Sequence, residues 1–308
     1  MKVWVLKAVV QKAISLLPFK HNINFLFQKY ITKGVNLTDA LFEDKLIHCS
    51  NHIKAWNNHS VKTPNYTALE LGTGWYPIVP VGLYLAGAGK VITLDIAALM
   101  NEERMYNTLD KFKQYYESGK LQTYIPTINK ERYNKLVELT TQRNKTLSEI
   151  LSILNIEYRL EDARSLNLPT ESVDLINSNN VFEHIYPDIL TDILKEFKRI
   201  LSKDGIMSHF IDMSDHFAHL DKAITPYNYL QFTEGQWATI DNSVQPQNRM
   251  RINQHRQIIT NNGFNIVEEE NRPGDLKQLE SITLAPPFNG FSNSDNVITH
   301  THMVMVKA

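Results

Sequence analysis

The chain has 308 residues, 43% hydrophobic and 21% charged, an ordinary composition that can bury a full core in one elaborated α/β domain or in two average ones. Its formal net charge of −1 gives no global basic field for nucleic acid or anionic lipid. The single cysteine, Cys49, excludes an intrachain disulfide and a multi-cysteine metal site.

From Val3 to Leu17, the polar residues Lys7, Gln11 and Ser15 recur every four positions as one narrow stripe, while Trp4, Leu6, Val9, Val10, Ala13, Ile14 and Leu17 cover the remainder. This predicts a strongly apolar amphipathic helix stopped by Pro18. Two uses fit it: docking onto the domain or a partner subunit (a homodimer included), or peripheral contact with a membrane. The stretch lacks the unbroken apolar segment and cleavage site of a signal peptide, and no run approaches the roughly 20 residues that span a bilayer. The expected location is therefore cytoplasmic, with membrane contact at most peripheral. Residues from about 20 to 60 read as further helical segments broken at Gly34, forming an N-terminal cap over the site.

Thr67-Ala-Leu-Glu-Leu-Gly-Thr-Gly-Trp-Tyr-Pro77 reads as a short buried strand, a glycine turn and a helix over about Ile78–Ala86 that Gly87 ends. Val91–Asp95 is the next strand. Gly72 and Gly74, with Thr73 between them, let backbone N–H groups approach a ligand. Asp95, about 20 residues on, stands where a strand-end carboxylate can accept both hydroxyls of a ribose. A nucleoside-containing ligand is the reading.

A helical stretch from about Met100 to Leu154 exceeds an ordinary crossover and is expected to be an insertion, folded as a lid above the strand ends. Glu157–Ala163 reads as a further strand leading to an acidic turn at Asp162-Ala163, and Ser172–Ser178 as another buried strand. The helix Ile189–Leu201 is amphipathic, with Gly205 as its C-cap signal. Ile206–Asp212 is the next strand, and an irregular insertion runs from about 213 to 248. A helix near Ile252–Asn262, a strand at Phe264–Glu268 and a last strand at Val297–Val306 complete the chain.

In order, these segments resemble the class I S-adenosylmethionine-dependent methyltransferases of the small-molecule branch. Glu70-x-Gly72-x-Gly74 is similar to that family's first motif, Val91–Asp95 to its second, and Asp162-Ala163 to its adenine-contacting turn. Val173–Ile185, containing Glu183-His184, is similar to the fourth-strand motif, and Phe197–Ile206 to the turn into the fifth strand. The resemblance implies an α/β, doubly wound, mostly parallel Rossmann-like sheet of seven strands with the last pair antiparallel. It covers a domain at 61–308 with insertions at about 100–154 and 213–248, beyond a helical extension at 1–60. Tyr76 departs from the pattern, standing where the family often has a third glycine.

The implied donor is S-adenosyl-L-methionine, with S-adenosyl-L-homocysteine as product. Glu70 would orient the loop or receive the ligand's ammonium, and Asp95 would take the ribose. Asp162 and the Ala163 N–H would meet the adenine, with Asn179 and Asn180 on the methionine side. The reading is methyl transfer to a small-molecule or glycan-type acceptor, at oxygen, with His184 or His216 as candidate base. The absence of a basic–aromatic track argues against nucleic acid. Asp212, Asp215, His216 and His219 offer an alternative divalent-metal site, against an ordinary hydrogen-bonded loop. Arg249, Arg251 and Arg256 read as a solvated helix start or an anion site, and His300 with His302 as a structural or surface pair. Two rivals stand beside this. A nicotinamide-dependent oxidoreductase would need a third glycine where Pro77 stands. The other is a catalytically inactive partner subunit of the same fold.

Overall fold

The computed structural model describes residues 3–17, 36–60 and 65–308. The segments expected from about 20 to 35, the break at Gly34 and the stop at Pro18 lie outside them. Among the described residues, helices α1 (Val3–Ser15) and α2 (Asp39–His59) precede the sheet. The hydroxyl of Thr38 caps α2 by accepting from the Leu41 N–H at 3.2 Å. Then come β1 (Thr67–Leu71), α3 (Ile78–Ala86) and β2 (Lys90–Asp95), with Gly87 closing α3 in the left-handed region at φ 114°.

Residues 102–153 form α4 (Glu102–Glu117), α5 (Leu121–Tyr124), α6 (Lys130–Gln142) and α7 (Leu147–Ile153). The chain continues through β3 (Ile156–Leu160), β4 (Val173–Asn179), a 3-10 turn at Phe182–His184, α8 (Pro187–Ile200) and β5 (Leu201–Asp212). After a second 3-10 turn at Asn228–Gln231 come α9 (Glu234–Ile240), α10 (Ile252–Asn261) and β6 (Phe264–Pro273). Last are α11 (Leu276–Glu280), α12 (Asn293–Asn296) and β7 (Ile298–Lys307).

The strands form one sheet in the order β3-β2-β1-β4-β5-β7-β6, parallel throughout except that β7 runs antiparallel to both its neighbours. The winding reverses between β1 and β4, and this reversal opens a crevice at the carboxyl ends of the strands. Strands β1 and β2 are apolar on both faces because helices cover both, as parallel sheets require. One face packs Ala68, Val91 and Leu175 under α2 to α4 and α6, and the other packs Leu69, Ile92 and Ile176 under α8 and α10. Each such Val, Leu or Ile side chain removed from water contributes about 1.5–3 kcal/mol. Helices α2 and α3 approach so closely that a Cβ on Gly82 would lie 2.5 Å from Cys49 Sγ. Among the described residues no helix is long and apolar enough to cross a membrane.

Four details differ from the sequence reading. Helix α8 ends at Ile200 and passes directly into β5, so Gly205 is a strand residue, not a C-cap; a Cβ there would meet the Asp174 carbonyl at 2.9 Å, beside a bulge in the β4–β5 pairing. Strand β6 runs five residues further than expected, its acids held from outside by ion pairs such as Glu269–Arg256 and Glu268–His59. The helices of residues 102–153 pack beside α3 on one face of the sheet instead of lying over the strand ends. Helix α1 turns part of its polar stripe inward: Gln11 is 1% exposed beside buried Trp4, Ala8 and Ile14, and Lys7 lies 5.6 Å over the Phe217 ring, while Val3, Leu6 and Val9 face out.

Candidate functional site

The crevice at the β1/β4 reversal holds a cavity of about 710 Å³ with a mostly apolar wall. Every residue expected to bind the donor lies in that wall: Glu70, Gly72, Thr73 and Gly74 after β1, Asp95 at the end of β2, Asp162 and Ala163 after β3, Asn179 and Asn180 after β4. Gly72 and Gly74 have φ of +83° and +67°, and a Cβ on Gly72 would sit 2.5 Å from Val181 Cγ2. Glycine is thus demanded by both conformation and space. The turn's amides are not aimed at a ligand as expected. Gly72 N–H and Thr73 N–H both donate to the Leu94 carbonyl, at 2.8 and 3.2 Å, and Gly74 N–H donates to Asp95 Oδ2 at 3.1 Å. Tyr76 also lines the cavity, and its backbone stays out of the left-handed region, which is why a side chain is tolerated there.

Glu70 is buried and accepts from Thr93 Oγ1 at 2.9 Å; burial pushes its carboxyl up to about 8. Asp95 is partly exposed and accepts through its other oxygen from Ala97 N–H at 3.1 Å. Ile96 beside it is 83% exposed on the cavity wall, an apolar surface against which a flat ring can lie. The Asp162 carboxylate is clasped by the Arg164 guanidinium at 2.5–3.0 Å, so an adenine amino group would have to share it. Asn179 Oδ1 accepts from His52 Nε2 at 2.9 Å, whose Nδ1 accepts from Ser208 Oγ at 2.7 Å. Asn179 Nδ2 and Asn180 Oδ1 are buried with no hydrogen-bond partner among the described residues, one donor and one acceptor in the same wall. Together these fit a ligand that carries a polar amino-acid end and a nucleoside.

Beyond β4 and β5 lies a cluster of imidazoles around Asp212. His184 lines the cavity, donates from Nδ1 to the Pro246 carbonyl at 2.6 Å, and so presents Nε2 as an acceptor. Burial, with His216 beside it, lowers His184 to about 4, which keeps it neutral at physiological pH. The His184 and His216 rings are 5.0 Å apart, and His216 Nε2 lies 3.4 Å from Asp212 Oδ2. His219 and His300 stand at 3.7 and 3.4 Å from the same carboxylate. Burial would raise Asp212, but His216 and His300 overrule it and hold the group ionised, far below its ordinary range.

The alternative metal set is redrawn. Asp215 is turned into its own loop, accepting from Asn228 Nδ2 at 2.9 Å and Phe217 N–H at 2.8 Å. The atoms that converge, within 4.8 Å of one another, belong to Glu183, His184 and His216. Glu183 is fully buried and its carboxyl is raised well above the ordinary range by burial, with Asp212 adding to it.

Several wall residues escaped the sequence reading. Leu41 and Lys45, one turn apart on α2, close one side, and Ser243 to Pro246 of the second insertion close another. The i, i+4 spacing on α2 was a usable signal; the loop carried none. Of the three arginines, Arg249 and Arg251 are buried and Arg256 is part-exposed, and all three are engaged by partners within the chain. Arg251 is fully buried, donating to the carbonyls of Met213 and Asn296 at 2.6 Å each, to the Ile298 carbonyl, and to Tyr229 Oη at 2.8 Å. Arg249 is held by the Tyr229 and Phe232 carbonyls and Glu234, and Arg256 by Glu269 and Asp295. His302 is buried against Ser208 Oγ at 2.8 Å, while His300 belongs to the Asp212 cluster.

Residues 122–208 match the model of a methyltransferase domain family. That segment begins beyond the glycine turn and includes Asp162, Ala163, Asn179, Asn180 and His184. No curated protein matches the sequence significantly. Solved structures of similar shape include a protein from Pyrococcus horikoshii OT3 (11% identity, 92% of this chain and 98% of that one, TM-score 0.49). Another is geranyl diphosphate C-methyltransferase from Streptomyces coelicolor A3(2) (10%, 84% and 79%, 0.46). A third comes from the complex of the Haloferax volcanii Trm112 methyltransferase activator with its methyltransferase (16%, 87% and 92%, 0.44). Residues 122–208 thus match a methyltransferase domain, and the sheet order with the crevice at its switch point is the Rossmann-like arrangement that the sequence motifs imply.

Proposed function

We propose that the chain methylates a small-molecule or glycan-type acceptor at oxygen, with His184 as the base. The observation that carries this is His184 Nε2: a neutral acceptor in the cavity wall, fixed by the Pro246 carbonyl and backed by His216 and the ionised Asp212. The cavity volume of 710 Å³ falls in the range of about 300–1,000 Å³ typical of small-molecule sites.

S-adenosylmethionine supplies an electrophilic methyl group on a sulfonium. In this reading Asp95 holds the ribose, Glu70 and the amides of Asn179 and Asn180 hold the amino-acid end, and Ile96 with Ala163 flanks the adenine; Gly72, Thr73 and Gly74 form the floor. Tyr76, Leu41 and the Ser243–Pro246 loop exclude water and hold the acceptor in line. His184 Nε2 takes the acceptor's hydroxyl proton as the oxygen attacks, and Asp212, through His216, stabilises the resulting imidazolium.

The test is transfer from methyl-labelled donor into size-fractionated metabolite and glycan pools, followed by identification of the methylated atom. Label recovered as a methyl ether in a small molecule, and lost with His184→Ala, supports the reading. Label appearing only in protein or nucleic acid, or on carbon or nitrogen, overturns it.

A further inference from the structure

Helix α1 buries a mixed face, Trp4, Ala8, Gln11 and Ile14, and polar groups help to anchor it. Gln11 Nε2 donates to Gln245 Oε1 at 3.0 Å, and Lys12 Nζ donates to the carbonyls of Ala238 and Asp241 at 3.1 and 2.6 Å. The backbone N–H of Trp4 donates to Asp221 Oδ2 at 3.0 Å, and the Trp4 ring packs 5.8 Å from Phe217. The opposite side carries Val3, Leu6, Val9, Ala13, Leu16 and Leu17, all exposed, Val9 by 59% and Leu16 by 81%. At 100° per residue Val3, Leu6, Val9 and Ala13 fall within an arc of about 120° that contains no polar side chain among the described residues, and Leu16 and Leu17 follow in the turn beyond the helix. Exposed Leu220 adjoins the start of the helix, next to Asp221, and Lys222 beside it is exposed as well.

The sequence around the helix is as one-sided in charge as the helix is in polarity. Residues 1–38 hold six lysines, namely 2, 7, 12, 20, 29 and 33, and no acid. Taken from 32 basic and 33 acidic residues in the whole chain, that leaves 26 and 33, a net of −7, for the remainder. A protein partner for an apolar face needs no such segregation, whereas an anionic bilayer calls for both an apolar surface and local positive charge. We infer that the outer face of α1 seats the protein on an anionic phospholipid surface, lying in the interface without crossing it. The Gln11–Gln245 bond then ties the membrane-bound helix to the loop that walls the cavity, so the acceptor side of the site stands next to the lipid.

Co-sedimentation of the full chain with phosphatidylcholine vesicles, with and without about a third phosphatidylglycerol, tests this. The expected result is binding at least several-fold stronger to the anionic vesicles, weakened as salt rises. Val9→Glu/Leu16→Glu, on the outer face only, should reduce that binding at least about tenfold. Its circular dichroism and its affinity for S-adenosylhomocysteine should stay unchanged, which separates docking from folding and from the donor site. Equal binding to neutral vesicles, no binding at all, or full binding by the folded double variant overturns the proposal. So does a lipid-independent dimer in light scattering that the same variant dissociates, because the face would then serve a second copy.

Discussion

The Gly74 amide donates to Asp95 Oδ2 at 3.1 Å, which makes the turn after β1 and the acid ending β2 a single hydrogen-bonded unit. Asp95 therefore shapes the turn, and in the proposed reading it also receives the ribose of the donor. Asp95→Asn keeps an acceptor for Gly74 but removes the charge. Hydrogen bonds to charged groups contribute about 1.5–3 kcal/mol, so affinity for S-adenosylhomocysteine should fall about 10- to 100-fold by calorimetry. Asp162→Asn should cost less, because Arg164 already occupies much of that carboxylate. Equal losses at both positions would contradict the difference in their surroundings.

Glu70 gives the fold a distinctive pH response. Its carboxyl sits at about 8 in the folded protein, against an ordinary value of 4.5, because burial outweighs the Thr93 hydrogen bond. The folded state then binds the proton more tightly than the unfolded one. The contribution is fully present below 4.5 and is lost as pH rises through 8, with a slope of up to about 1.4 kcal/mol per pH unit between. Glu70→Gln has the same shape without the titration. The difference in thermal midpoint between variant and wild type should grow in the variant's favour from pH 5 to pH 8, and a constant difference would show that Glu70 is not so perturbed.

What could be read from the sequence, and what could not, divides along physical lines. Strands β1, β2, β4 and β5 were legible because doubly covered strands are near-continuous apolar runs, and the turn because Gly72 and Gly74 need positive φ. Periodicity also found α1, but it marks two sides without saying which one is buried, so the burial of Gln11 could not be read. Arg251 was unreadable for a different reason: its partners are main-chain carbonyls of residues 213, 296 and 298, and backbone acceptors leave no trace in side-chain pattern. The Ser243–Pro246 wall was hidden likewise, since a loop's position is set by the third buried cluster beneath it, where Trp4, Phe217 and Trp237 meet.

Buried histidines oppose Glu70 on the acid side. Burial lowers His209 and His255 to about 3 and His302 to about 4, from an ordinary 6.5. Each is neutral in the folded protein and gains a proton on unfolding, so its contribution is present above 6.5 and is lost as pH falls toward the folded value. His255 is the cleanest probe, because neither ring nitrogen has a hydrogen-bond partner among the described residues and Arg251 lies nearby. His255→Leu should flatten the loss of stability between pH 6.5 and 4 by up to about 1.4 kcal/mol per pH unit in denaturant titrations. Parallel wild-type and variant curves would mean that the imidazole is not held neutral.

Asp212 separates catalysis from donor binding. It lies beneath the imidazole cluster, 3.4 Å from His216, and does not line the donor cavity. In the proposed mechanism it acts only when His184 becomes positive, so its loss should reduce kcat without changing affinity for S-adenosylhomocysteine. General-base contributions are typically about 10²–10⁴-fold, and His184→Ala should fall in that range. Asp212→Asn, which leaves the base but removes its electrostatic support, should fall below it. The discriminating readout is the pH profile of kcat. His184 titrates at about 4, so the wild-type rate should be flat from pH 6 to 8. Removing the nearby negative charge lowers the proton affinity of the imidazole further, so Asp212→Asn should be slower at every pH while remaining flat above 6. A rate that instead climbs through pH 7 in the wild type would assign the proton to a group of higher pKa and take His184 out of that role.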